Sequence, residues 1–404
     1  MSHPDRLINH EQPGQKFTPV PETYGTISKI FVNLRPPDSE LLGSELAIVE
    51  ALAREIPGVE IVLGVVAGTE DTLKNIGLSH PSIYFRPENN RGTWARDIGF
   101  WADDGRTFVV NSGHPTRVTT VSAEVDVVGI REAETFRQAL NINRLSFSPF
   151  SAEWGDILFT ANHAFVGFAT AGQPQHFRNF SRVIAPHLHV LGNSEVGSPP
   201  AHLDTALIPA TDDIFIINDP RSLYDIVSRI SNDEWFKCQS RFAAKIASYH
   251  TPLMFGCRPI VDISHDVIRD LANISQPGTF GHDSFSRSLP GESALMAVIK
   301  NQLRSMGKTL IELPGMEVLG FPFSPVNSLI DTYFENSQLK RRIFVPTYGL
   351  PTLDTEVLKR LQQSHLFAKI IPIEVGWELN LQRGGLRCVV NALRHTSPPS
   401  FQIP

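Results

Sequence analysis

Along most of its length the chain alternates short runs of β-branched and aromatic residues with longer segments whose apolar positions recur every three or four residues. The runs KIFVNLR, VEIVLGVV, TFVVNS, AFVGFAT, HVLGN, DIFIIND, RRIFVPTYG and AKIIPIEV predict strands, and LLGSELAIVEALAREI and LDTEVLKRLQQSH predict amphipathic helices. Strands that alternate with helices bury their faces in mixed layers, so the expectation is an α/β fold. The chain has 404 residues, 41% of them hydrophobic, enough to fill a large core. Length alone predicts two or three domains unless one large architecture absorbs it. Residues 232–312, with helices around WFKCQSRFAAKIASYH and ESALMAVIKNQLRSMG, predict a helical insertion. Segments 1–25 and 396–404 are proline-bearing and predict extended chain, leaving 26–395 as the folded body.

Charge and motif content exclude several classes of function. The net charge of -6 is mild, and no Lys/Arg cluster is longer than Lys340, Arg341 and Arg342, which argues against a nucleic-acid partner. No apolar run reaches the roughly 18 residues that span a bilayer, and the polar start MSHPDRLINHEQPGQ does not resemble a signal peptide. The expectation is a soluble, cytoplasmic protein without a membrane partner. Cys238, Cys257 and Cys388 are odd in number and form no CxxC, which fits a reducing compartment and no disulfide framework. The sequence contains no GxGxxG, GxxxxGKS or HExxH, so nicotinamide, nucleotide and zinc-protease chemistry have no foothold and no cofactor is expected.

Three separated segments carry candidate chemistry. In RGGLRCVVNALR, Cys388 follows Gly384 and Gly385 and is flanked by Arg383 and Arg387. Cations near a thiol favour the nucleophilic thiolate, although a free cysteine is also commonly an inert buried hydrophobe. In TWARDIGFW, Asp97 stands among Trp94, Phe100 and Trp101, where a buried carboxylate needs a partner, either Arg96 or a ligand. In AHLDTALIP, His202 and Asp204 stand two apart at the start of a predicted strand, where a period of two puts both on one face. That pair reads as a catalytic His–Asp set, a metal half-site or a surface turn. His187 and His189 could likewise pair on one strand face for a metal, but no third ligand is near them in sequence; His265-Asp266 and His282-Asp283 read as helix caps. Two carboxylates, one histidine and one cysteine suit thiolate attack on a planar cation held bidentately, and the guanidinium group is such a cation.

WARD, EWGD at 153–156, AHLD and RGGLRC occur in the order of the motifs of the guanidino-group-modifying enzymes of the pentein superfamily. Within it the chain resembles the catalytic domain of protein-arginine deiminases and, more distantly, agmatine and arginine deiminases. The narrower likeness rests on HLDTALIPATDDIFIINDPRSLYDIV, HDSFSR at 282–287, PVNSLI at 325–330 and CVVNALR, so it spans roughly residues 80–395. The resemblance implies a pentein fold, a five-fold pseudosymmetric α/β propeller of ββαβ modules, forming one catalytic domain over 26–395. It implies Cys388 as nucleophile, His202 as acid and base, and Asp97 and Asp204 as catalytic carboxylates that also bind the substrate guanidinium, with Trp94, Arg117 and Asn391 as further substrate contacts.

The implied reaction is hydrolysis of an arginine-type guanidinium, foremost that of peptidyl arginine, to a ureido group and ammonia. An amidinotransferase, a deiminase of free arginine or agmatine, and a non-catalytic binding protein of the same fold are the alternatives. The sequence departs from the family at Ala201, where the relatives have glycine, at Arg387, where histidine is frequent, and around Glu153. Arg96, Ile98 and Phe100 stand where calcium-dependent relatives place ligands. Apolar and cationic side chains do not ligate a cation that takes six to eight oxygens, so no metal is expected.

Overall fold

A computed structural model describes residues 16–23, 25–35, 41–66, 82–86, 95, 99–103, 105–110, 137–147, 154–172, 174–184, 186–197, 202–247, 254–255, 258–259, 269, 280–318, 321–380 and 384–395. They form a mixed α/β fold of small sheets divided into two units.

The first unit comprises Met1–Pro37, Glu45–Val190 and Cys388–Pro404. Its elements begin with β1 (Thr26–Asn33), α1 (Leu41–Glu55), β2 (Glu60–Val66), β3 (Ser82–Arg86), β4 (Gly99–Ala102), β5 (Thr107–Val110) and β6 (Arg144–Phe147). They continue with β7 (Ile157–Phe159), β8 (His163–Gly167), α2 (Phe168–Ala171), α3 (Pro174–Val183) and β9 (His187–Leu191).

The second unit comprises Asp38–Ser44 and Leu191–Arg387. It holds α4 (Leu203–Ala206), β10 (Leu207–Pro209), β11 (Ile214–Asp219), α5 (Pro220–Val227), α6 (Asn232–Ala247), β12 (Met254–Phe255), β13 (Arg258–Pro259) and α7 (Phe280–Ser305). After these come β14 (Thr309–Pro314), β15 (Met316–Val318), β16 (Phe321–Phe323), β17 (Leu329–Glu335), β18 (Gln338–Thr347), α8 (Pro351–Gln363), β19 (Lys369–Glu374) and α9 (Gly376–Asn380). The turn α10 (Leu386–Val389) leads into β20 (Val390–His395), which belongs to the first unit.

Among the described residues one strand pattern recurs. An antiparallel pair is followed by a crossover and a third strand parallel to the second: β4, β5 and β6; β10, β11 and β14; β17, β18 and β19. The sheet β7-β8-β9 has the same order. A fifth set joins the two ends of the chain, because β20 pairs antiparallel with β1, which pairs parallel with β2. Parallel neighbours cannot be joined by a tight turn, which is why α1 and α8 lie between the strands they connect. The helices α6 and α7 occupy the crossover from β11 to β14, within the predicted insertion.

Local sequence explains the individual elements. Helix α8 starts with Pro351 at a position whose N–H would have no partner, and it buries Leu353, Val357 and Leu361 at a spacing of four. Asp354 reaches back to accept the backbone N–H groups of Tyr348 and Leu350, both at 3.0 Å. The second unit's core includes Ile216, Leu223, Ile343, Val345, Leu353 and Tyr348. Arg342 pairs with the fully buried Asp331 at 2.9 Å across β17 and β18, and its guanidinium lies 4.0 Å from the Tyr333 ring centre. No helix among the described residues is long and apolar enough to cross a membrane.

Burial, aided by the Glu317 carboxylate, pushes the Glu292 carboxyl of α7 up to about 7 from an ordinary 4.5. A raised carboxyl binds its proton more tightly in the folded chain, so its contribution is fully present below about pH 4.5 and is lost as pH rises through about 7. Glu292→Gln should leave stability at pH 4.5 nearly unchanged and raise it by about 1–3 kcal/mol at pH 8. Urea unfolding at the two pH values measures the difference.

Candidate active site

The segment AHLDTALIP does not begin as a strand. His202 is extended (φ -158°, ψ 159°), Leu203–Ala206 form a single helical turn, and β10 starts only at Leu207. The period-of-two argument for His202 and Asp204 therefore fails locally, because Asp204 lies in the turn. The His202 carbonyl accepts the Thr205 N–H at 3.1 Å and the Thr205 hydroxyl at 2.7 Å, which fixes the kink. All four residues of the turn are buried, Asp204 completely, while His202 is half-buried.

A four-residue turn leaves carbonyls without partners in the helix. Two asparagine amides supply them. Asn218 Nδ2 donates to the Thr205 carbonyl at 2.9 Å, and Asn327 Nδ2 donates to the Asp204 carbonyl at 3.1 Å. Asn218 Oδ1 in turn accepts the Ser324 hydroxyl at 3.3 Å, and the Ser324 N–H donates to the Tyr348 hydroxyl oxygen at 2.8 Å.

Asn327 has a second contact, since its Oδ1 accepts the Arg387 N–H at 2.7 Å. Arg387 belongs to the helical turn α10, whose next residue is Cys388. A Cβ at Gly385 would overlap the Asn327 amide, and one at Gly315 would overlap the Asn218 amide. Gly385, three residues before the cysteine, thus makes room for a buried side chain. Neither asparagine stood out in the sequence as a site residue. PVNSLI and IIND carried them only as parts of longer similar stretches.

The Cys388 sulfur, a His202 ring nitrogen and an Asp204 carboxylate oxygen lie within 4.8 Å of one another. Cys388 is 1% exposed, and Arg387 beside it is also buried. The three donors suit two uses: a soft or borderline cation held by sulfur, nitrogen and oxygen, or a thiol nucleophile with an imidazole and a carboxylate in reach. Cys238 has neither setting. It is packed in the core near the Tyr348 carbonyl, and burial pushes its thiol up to about 12.

Asn391, three residues after Cys388, is 1% exposed, and its Nδ2 donates to the carbonyls of Ala95 at 3.1 Å and Gly99 at 2.7 Å. Its amide nitrogen clamps the backbone on either side of residues 96–98. Phe100 is buried in β4, with its ring centre 5.3 Å from that of Phe159. Asp97, Trp94, Arg96, Ile98, Arg117, Glu153, Ala201, Cys257 and Arg383 lie outside the described residues.

No protein-family model and no curated protein matches the sequence. Solved structures do match. An agmatine deiminase of C. jejuni aligns over 96% of this chain and 99% of its own, with a TM-score of 0.54 at 14% identity. A proposed peptidyl-arginine deiminase aligns over 94% and 98%, with a TM-score of 0.56 at 14% identity. The agmatine deiminase of Enterococcus faecalis aligns over 97% and 100%, with a TM-score of 0.56 at 11% identity. The chain has the fold of these neighbours over nearly its whole length.

Proposed function

We propose that this protein is a cysteine-dependent deiminase that hydrolyses a guanidinium group to a ureido group and ammonia. The observation that carries the reading is the approach of Cys388, His202 and Asp204 to within 4.8 Å, on a fold shared with deiminases. In this reading the five recurring strand sets close into the pentein propeller, and 26–395 act as one catalytic domain in the cytoplasm.

Asp97 and Asp204 hold the planar cation through charge-assisted hydrogen bonds, which orient its carbon toward the sulfur. The Cys388 thiolate forms a C–S bond and the carbon becomes tetrahedral. His202, as imidazolium, gives a proton to one nitrogen, and the C–N bond breaks to release ammonia. The covalent thiouronium then takes a water whose proton passes to His202. The C–S bond breaks, and the urea product and the thiolate are restored. Trp94 and Arg117 contact the remainder of the substrate, and Asn391 acts by positioning the chain beside Asp97.

Peptidyl arginine is the substrate that the sequence motifs favour. Agmatine is the second reading, favoured by the names of two of the structural neighbours. Ammonia release from a blocked arginyl peptide, agmatine and free arginine separates them, and turnover of none would overturn the deiminase assignment. An amidinotransferase would instead need an added amine before it released product.

Cys388→Ala should abolish ammonia release while the fold persists, and a haloacetamidine should label Cys388 with loss of activity. Labelling of Cys238 or Cys257 with activity lost in step would reassign the nucleophile. Asn327→Ala removes both the donor on Asp204 and the acceptor for Arg387. It should lower stability by about 2–4 kcal/mol and kcat by at least about tenfold, read by thermal unfolding and steady-state kinetics. Rates in excess chelator and in millimolar calcium should agree, because apolar Phe100 is buried where a calcium ligand would stand; a rise above about tenfold with calcium would place a calcium site elsewhere.

A further inference from the structure

His163 opens β8, and His187 and His189 occupy alternate positions of β9, the neighbouring strand in the sheet. Alternate residues share a face of a strand. The residues between and beyond them, Leu188 and Val190, pack against the core that contains Phe100, Phe159 and Ile184. Packing of these partly buried side chains fixes which way β9 lies and leaves both imidazoles on the other side. The neighbouring strand supplies the third imidazole that the sequence left missing.

His163 Nδ1 and His189 Nε2 are 2.9 Å apart, and their ring centres are 4.9 Å apart. The His163 and His187 ring centres are separated by 6.1 Å. His189 is stacked on Phe165 at 5.3 Å, whereas His187 is exposed. An ion bound by two imidazole nitrogens at about 2.0–2.1 Å and a tetrahedral angle holds the two ring centres about 5 Å apart. The His163 and His189 ring centres already have that separation, and their facing nitrogens, hydrogen-bonded to each other at 2.9 Å, open to about 3.3–3.4 Å when an ion takes the place of the shared proton. His187 is not yet in ligating position, and a rotamer change of this exposed side chain that closes its ring centre on His163 by about 1 Å brings it to the same separation.

The geometry points to a surface site for a borderline divalent cation of the zinc class, held by His163, His187 and His189, with its fourth position open to water. Imidazoles select zinc, copper and nickel over calcium and magnesium, which take oxygen ligands. The site shares no residue with the cluster of His202, Asp204 and Cys388, so it stands or falls apart from the deiminase reading.

The test uses the full-length protein, freed of metal by chelation and titrated separately with Zn²⁺ and with Co²⁺. A thiolate ligand adds a sulfur-to-cobalt charge-transfer band, which a site of imidazoles alone lacks. The expected result is one equivalent of Co²⁺ without that band, retained in Cys388→Ala. Affinity for Zn²⁺ should fall at least about tenfold in both His187→Ala and His189→Ala. His187→Ala changes an exposed residue, and circular dichroism confirms that the variant is folded. The proposal is overturned if the chain binds no metal, if the bound Co²⁺ shows the sulfur band and disappears in Cys388→Ala, or if folded His187→Ala binds as tightly as the parent.

Discussion

The candidate site depends on the two hydrogen bonds of one amide. Asn327 donates to the carbonyl of Asp204 and accepts the N–H of Arg387, so a buried group with one donor and one acceptor holds the turn carrying a carboxylate and the turn carrying the cysteine. Both backbone groups lie in helical turns too short to satisfy all their own hydrogen bonds. At 1% exposure, Asn327 leaves water little access to replace it. Aspartate would lack the donor and serine the reach, and any side chain at Gly385 would displace the amide. The candidate site is thus built from backbone geometry outward, with Asp204 and Cys388 riding on turns that other residues hold.

Environment separates the two described cysteines. Cys238 lies within the apolar core that includes Leu353 and Trp235, where burial raises its pKa and outweighs the opposing effects of a Trp377 hydrogen bond and the Arg241 charge. Cys388 is as deeply buried but sits beside Arg387 and within reach of an imidazole and a carboxylate. Burial alone makes a thiol inert, and burial among polar partners can make it a nucleophile.

The strand pattern repeats without a repeating sequence. An antiparallel pair followed by a crossover and a parallel strand needs only apolar runs of the right length and a helix with one apolar face, and many sequences meet that condition. The set made by β20, β1 and β2 uses both ends of the described chain. It puts Asn391, three residues after the cysteine, in register with Phe31. No local pattern could announce that pairing, since the residues involved are separated by most of the chain.

By itself the sequence determined the alternation of strands and helices and the places of α1, α6, α7 and α8, and it singled out Cys388, His202 and Asp204, which the fold brings together, because apolar periodicity and the chemistry of side chains are local properties. It misjudged the backbone at Asp204. A two-residue spacing fits a strand, but it fits equally a kinked turn whose carbonyls are satisfied by amides more than ten residues away in Asn218 and more than one hundred away in Asn327. Only the tertiary structure decided that Asn327 and Asn218 hold the site, that Asn391 grips backbone, and that His163 joins His187 and His189. Each of these depends on partners distant in sequence, and a buried polar group is specified by where its partner lies rather than by its neighbours in the chain.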